Sequence, residues 1–145
     1  MPDFPHRYSA TALSETEGTL RIESEGLPDL ETAAPKEFGG PGDLWSPETL
    51  LVAAVADCFI LTFRAVARTS RLPWISLRCE AEGILDRVDR VTRFSHFEIR
   101  ARLLVTADAN PDRAQRLLER TEQSCLITNS LNATTALEAR VERAP

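Results

Sequence analysis

Lysine is nearly absent from this chain: Lys36 is the single example, and the other basic residues are arginines scattered along the sequence rather than gathered into a stripe. With 22 acidic residues against 17 basic ones, a net charge of −5 and a sequence pI near 5.1, nucleic acid is not an expected partner. Histidine is scarce too, with only His6 and His96. No two of the three cysteines, Cys58, Cys79 and Cys125, stand within four positions of each other. The paired ligand spacing of a zinc centre is therefore missing, and no metal is expected. An odd cysteine count, behind an N-terminus (MPDFPHRYSA) without the basic-then-apolar layout of a secretory signal, argues against a disulfide framework. The longest apolar run, Leu50 to Phe63, is broken by Asp57 and Thr62 and falls short of the length that spans a ~30 Å bilayer. The expected compartment is the cytoplasm, with no membrane partner.

What is present is ordinary for a soluble globular protein: 145 residues, 43% hydrophobic and 27% charged, enough for one domain with its own core. Tyr8, Ala10 and Ala12 alternate with Ser9 and Thr11, as in a half-exposed strand. Glu17-Gly18 suits a turn into a second strand around Thr19 to Ser24. A loop rich in proline and glycine follows, from LPDLETAAP to KEFGGPGDLW. Its glycines lack the spacing of a dinucleotide or P-loop fingerprint, so no phosphate role is assigned to it.

The clearest element is WSPETLLVAAVADCFILTFRAVA. Ser46 suits an N-cap, Pro47 the first helical position and Glu48 the positive end of the dipole, and Arg71-Leu72-Pro73 ends the helix near Ser70. Because Leu50 to Phe63 is apolar on nearly every side, this helix is expected to be enclosed all round, part of it by a second subunit. Ile75, Leu77, Cys79 and Ala81 then alternate with polar residues, as do Phe97, Ile99, Ala101, Leu103 and Val105, which predicts two strands joined through an acidic turn at 86–90. Asn110-Pro111 opens a second helix, and Leu137, Ala139 and Val141 mark a closing strand. The order β-β-loop-α-β-β-α-β predicts an α+β domain whose antiparallel sheet packs on a long central helix.

The chemistry then turns on the thiols. Cys79 falls in register with the apolar face of its strand and reads as an inert packing residue. For Cys58 core packing competes with a reactive role, since Asp57 and Glu48 are acids on an otherwise apolar helix and buried acids are costly unless paired. Glu48 lies ten residues, some 15 Å of helix, before Cys58, so an arginine or lysine would have to bridge them. Cys125, at the exit of the second helix, is open to either reading.

The stretch KEFGGPGDLWSPETLLVAAVADCFILTF, with CLITNSL further on, resembles the OsmC/Ohr family of osmotically inducible protein C and organic hydroperoxide resistance proteins. The resemblance covers essentially the whole chain and rests on the combined Pro-Glu, first-cysteine and second-cysteine pattern. It implies an intertwined homodimer and a thiol peroxidase with no metal or organic cofactor. Cys58 would attack the hydroperoxide, Cys125 would resolve the sulfenic acid as a disulfide, and an external dithiol would reduce that disulfide. Glu48 corresponds to the acid that orients an arginine beside the thiolate. Neither position where the family's branches carry that arginine holds one here: the turn LSETEGTL has none, and the position before the Gly/Pro loop offers Lys36. Arg21 and Arg7 are further candidates, and Arg21, Phe38 and Trp45 are taken as binding residues. These departures place the chain nearer the OsmC-like group of unassigned activity than either peroxidase branch. Two other readings stay open: a non-catalytic protein that binds an apolar small molecule at the dimer interface, and a redox-sensing module.

Overall fold

The computed structural model describes residues 3–145, which form two compact units, one ending at Leu51 and the other starting at Val52. In the first, strands β1 (Thr11–Leu13), β2 (Leu20–Glu23) and β3 (Leu30–Thr32) make a small antiparallel sheet in the order β1-β2-β3. The stretch Tyr8 to Ala10 lies outside β1 and is exposed. β3 lies in the segment read as loop, and a 3₁₀ turn follows at Lys36–Phe38. Gly40 is required just beyond that turn. A Cβ there would stand 1.6 Å from the Ala34 carbonyl oxygen, so only glycine lets the chain double back.

Helix α1 (Pro47–Ser70) begins as its sequence predicts. The Ser46 hydroxyl accepts from the Thr49 backbone N–H at 3.1 Å, while the Thr49 hydroxyl accepts from the Ser46 N–H at 2.9 Å. This reciprocal cap satisfies two orphan donors. At 24 residues the helix is long and apolar enough to cross a membrane by length and composition alone, longer than its uninterrupted apolar run suggested. It is not enclosed all round within the chain. Val55, Cys58, Phe59, Phe63 and Ala67 form one buried stripe, while Leu61 on another face is 54% exposed. One chain supplies cover for one stripe only.

The second unit is built on β4 (Trp74–Val88), β5 (Val91–Val105) and β6 (Thr134–Arg143), in that order across the sheet. β4 and β5 form a long hairpin whose two-residue turn puts Asp89 at φ 52° and Arg90 at φ 68°, as a type I′ turn requires. β5 and β6 pair in parallel, so the sheet is mixed rather than antiparallel throughout. The cause is α2 (Pro111–Ser124), which returns the chain to the starting end of β5 before β6 begins. Asn110 caps α2 by accepting from the N–H groups of Asp112 and Arg113 at 2.9 and 3.2 Å.

The core of this unit lies on one face of the sheet. Phe97, Ile99, Ala101, Leu103 and Val105 are buried there, together with Ala114, Leu117, Leu118 and Thr121 of α2. A register shift between Trp74 and Ser76 breaks the expected alternation at its start. Ile75 is consequently 53% exposed, and Trp74 turns inward to meet the Phe63 ring edge-on at 5.2 Å.

Candidate active site

Cys58 lies at the middle of α1, on the stripe that faces the core. Cys125 follows the last residue of α2 and caps α3 (Leu126–Asn129), a single turn to which the sequence reading assigned no element. The fold brings both buried thiols within hydrogen-bonding reach of each other, and neither is in a disulfide.

The two sulfurs are not equivalent. Burial pushes the Cys58 thiol up, yet the hydrogen bonds it receives outweigh burial and hold it below its ordinary value. The donors are the Cys125 thiol, the backbone N–H of Ile127, the Thr62 hydroxyl and the backbone N–H of Leu126. Thr62 stands one helical turn on from Cys58, with its oxygen 3.7 Å from the sulfur. For Cys125 the balance is reversed. Burial and the hydrogen bond to Cys58 raise its thiol, against the opposing Thr128 contacts. Of the two thiols Cys58 is therefore the one that gives up its proton first, with the Cys125 thiol as donor to it, the polarity a nucleophile and its neighbouring acid need.

Cys79 lies on the inward face of β4, paired with Ala101. Two contacts of α1 with β4 bracket it: Val52 over Gly83, and Phe63 against Trp74. Burial first, and then the nearby Cys125, push the Cys79 thiol up to about 12. A thiol so rarely ionised is inert, as its strand register suggested.

The remaining candidates belong to the first unit and are described within it. Arg21 on β2 is exposed and paired with Glu23 at 3.3 Å and Asp29 at 3.9 Å. Lys36 opens the 3₁₀ turn, with its side chain running past Gly42. Phe38 and Trp45 are exposed aromatics, 58% and 49% accessible. Glu48, in the first turn of α1, keeps its buried Oε1 without a hydrogen-bond partner among the described residues. Within residues 52–145 every group that lowers the Cys58 thiol is a neutral hydrogen-bond donor. Sequence reasoning searched for a cation and missed these donors. An i, i+4 Cys–Thr pair on α1 was the available signal for Thr62. The amides of Leu126 and Ile127 carry no side-chain signature.

An α+β unit that closes one buried thiol from a long helix onto a second from a helix terminus defines a dithiol protein. Residues 40–140 match the family described as OsmC-like protein, and the chain belongs to that family. It is 33% identical over 113 residues to YmaD of Bacillus subtilis (strain 168), described as uncharacterized, covering 74% of this chain and 75% of that one. Its fold is similar to an OsmC-like protein of unknown function from Vibrio cholerae, with a TM-score of 0.84, 19% identity and coverage of 93% and 99% of the two chains. It is also similar to an organic hydroperoxide resistance protein from Elizabethkingia anophelis, with a TM-score of 0.81, 20% identity and coverage of 97% and 100%. For the organic hydroperoxide resistance protein OhrB of Bacillus subtilis the TM-score is 0.70, at 20% identity and coverage of 93% and 98%.

Proposed function

We propose that this protein is a cysteine-based peroxidase that reduces organic hydroperoxides at the expense of an external dithiol. The observation that carries the reading is the Cys58–Cys125 pair, with one sulfur held toward thiolate and the other toward thiol. Similarity to hydroperoxide resistance proteins supports the choice of oxidant.

In this mechanism the Cys58 thiolate attacks the distal oxygen of ROOH. The O–O bond breaks, the alcohol ROH leaves with a proton, and Cys58 becomes a sulfenic acid. Cys125 then attacks the Cys58 sulfur, water leaves, and the Cys58–Cys125 disulfide forms. A dithiol reductant closes the cycle by thiol–disulfide exchange, becoming a disulfide itself. No metal or organic cofactor takes part.

The working form in this proposal is a cytoplasmic homodimer. The apolar residues of α1 left uncovered within one chain, Leu61 among them, support a second copy packing there.

The test is consumption of cumene hydroperoxide with dithiothreitol, comparing the wild-type protein with Cys58→Ser and Cys125→Ser. Turnover by the wild type, none by Cys58→Ser, and a stable sulfenic acid in Cys125→Ser are expected. A wild type without turnover, or one matched by Cys58→Ser, removes the proposal.

A further inference from the structure

The outer face of the β4-β5-β6 sheet carries a hydroxyl, an imidazole and a carboxylate joined in series. β5 sends His96, Glu98, Arg100 and Arg102 to this face, since Phe97, Ile99, Ala101 and Leu103 between them are buried on the other. The residues of the series belong to β5 and β6, not to the face of α1 where a second copy is proposed to pack.

The parallel pairing of β6 with β5 sets Thr134 opposite His96. Thr134 Oγ1 stands 2.6 Å from His96 Nδ1, and His96 Nε2 stands 3.0 Å from Glu98 Oε1. A carboxylate only accepts, so Nε2 carries a proton and donates to Glu98. In the neutral ring the lone pair is then at Nδ1, and the Thr134 hydroxyl donates to it. The competing acceptor for that hydroxyl, the Ser95 carbonyl, is further away at 3.4 Å. Nucleophile, base and orienting carboxylate therefore follow one another in the order that activates a hydroxyl, an arrangement defined by geometry and role rather than by sequence position.

The sheet is deformed at this point. Ser95 is an extra residue in β5: His96 lies opposite Ile84, while Phe94 lies opposite Leu85. A bulge of this kind re-aims the side chain beside it. On the far side of the bulge, Arg93 donates from Nη1 to the Asn132 carbonyl at 2.9 Å and to the Phe94 carbonyl at 3.3 Å. It thereby ties the chain two residues before Thr134 to β5. It also brings a positive charge to the start of β6, where negative charge would develop on an attacked carbonyl. Glu82, opposite Glu98 on β4, is engaged by Arg100 at 3.6 Å, which leaves Glu98 to His96. Thr134 is exposed, so a carbonyl carbon can reach its hydroxyl, and Ile84, opposite His96, supplies a partly exposed apolar surface.

We propose that Thr134, His96 and Glu98 form a second reactive site, which accepts an acyl group from an activated ester of a small apolar acid and releases it to water. His96 takes the Thr134 proton while the hydroxyl oxygen bonds to the carbonyl carbon. The ester C–O bond breaks, and the leaving alcohol takes that proton from His96. Water then attacks the acyl-threonine, passing a proton through His96 to the Thr134 oxygen as the acid leaves. Glu98 acts through the ring, as a positioning residue. Nothing is oxidised or reduced, so the site is independent of the thiol pair.

The probe is p-nitrophenyl acetate, used on the full chain carrying Cys58→Ser so that the thiolate does not consume it. A burst of about one equivalent of p-nitrophenol is expected, with peptide mapping placing the acetyl group on Thr134. Thr134→Val should abolish the burst and Thr134→Ser retain it. His96→Asn should slow acetylation of Thr134 by about a hundredfold or more, and added imidazole should restore part of the loss. Glu98→Gln should slow the reaction and move the inflection of its rate to lower pH, because the imidazolium loses the carboxylate that favours it. A Thr134 left unacetylated overturns the site, as does a His96→Asn protein acetylated there at an unchanged rate. An unmoved inflection in Glu98→Gln overturns the role of Glu98.

Discussion

The Cys125 thiol donates a hydrogen bond to the Cys58 sulfur, although 66 residues and three secondary-structure elements separate them in the chain. Sulfurs so placed need little movement to bond covalently. Mild oxidation with diamide should therefore consume two of the three free thiols, leave Cys79 reduced, and add no intermolecular species. Thiol titration with peptide mapping checks this. The loop closed is long, so the oxidised protein should gain about 2–4 kcal/mol of resistance to unfolding by urea. A Cys79-containing disulfide as the main product would contradict the arrangement.

The asymmetry of the pair predicts how reactivity changes with pH. Donated hydrogen bonds outweigh burial at Cys58, so the inflection of its alkylation rate by iodoacetamide should fall below the ordinary thiol value of 9.0. Thr62→Val and Cys125→Ala each remove one of those donors and should move the inflection back upward. Each loss is worth about 1 kcal/mol or somewhat more, roughly a fivefold slower reaction at neutral pH. The linkage has the sign of a depressed acid. Cys58 contributes stability above its unfolded-state value, and that contribution is lost as pH falls through its lower folded-state value.

Much of this arrangement was legible in the sequence, and the parts that were not have physical reasons. Ser46-Pro47-Glu48 and Asn110-Pro111 announce helices because capping is a local matter of one side chain and two or three amides. Period-two patterning likewise exposed β4 and β5. The parallel placement of β6 was not readable, because strand direction depends on where α2 delivers the chain, and alternation looks the same either way. The partial cover of α1 was also hidden, since an apolar sequence states a need for burial without saying what meets it. At the site, Cys58 and Cys125 could be named. Their polarity could not, because Leu126 and Ile127 act through backbone amides that every residue possesses.

Cys79 offers a contrast on the same face of the sheet. Burial is its largest influence, and its thiol stands at about 12 against an ordinary 9.0. The native protein should leave Cys79 unalkylated at neutral pH while Cys58 reacts. For stability the sign is that of a raised acid. The contribution is fully present below pH 9.0, where both states keep the proton, and is lost as pH rises toward about 12. Urea midpoints measured across pH 8 to 11 should fall less steeply in Cys79→Ala than in the wild type. Parallel curves would show that Cys79 does not contribute to alkaline unfolding.

Gly83 tests the packing that seats the cysteine helix. It sits on β4, opposite Phe97, in a strand where glycine itself is unfavourable. Its value lies in the missing side chain: a Cβ there would stand 2.8 Å from Phe94, 2.9 Å from Phe97 and 2.9 Å from Val52 of α1. The Phe94 and Phe97 rings are stacked at 5.2 Å, so neither can yield without disturbing the other. Gly83→Ala should accordingly cost about 1–3 kcal/mol, despite alanine's better strand propensity, and urea unfolding measures it. Because Val52 lies six residues before Cys58 on the same helix, the clash should also shift α1 and loosen the thiol pair. Slower diamide-driven disulfide formation in Gly83→Ala, measured under native conditions, would report that shift. A more stable protein with unchanged oxidation rate would mean that α1 does not rest on Gly83.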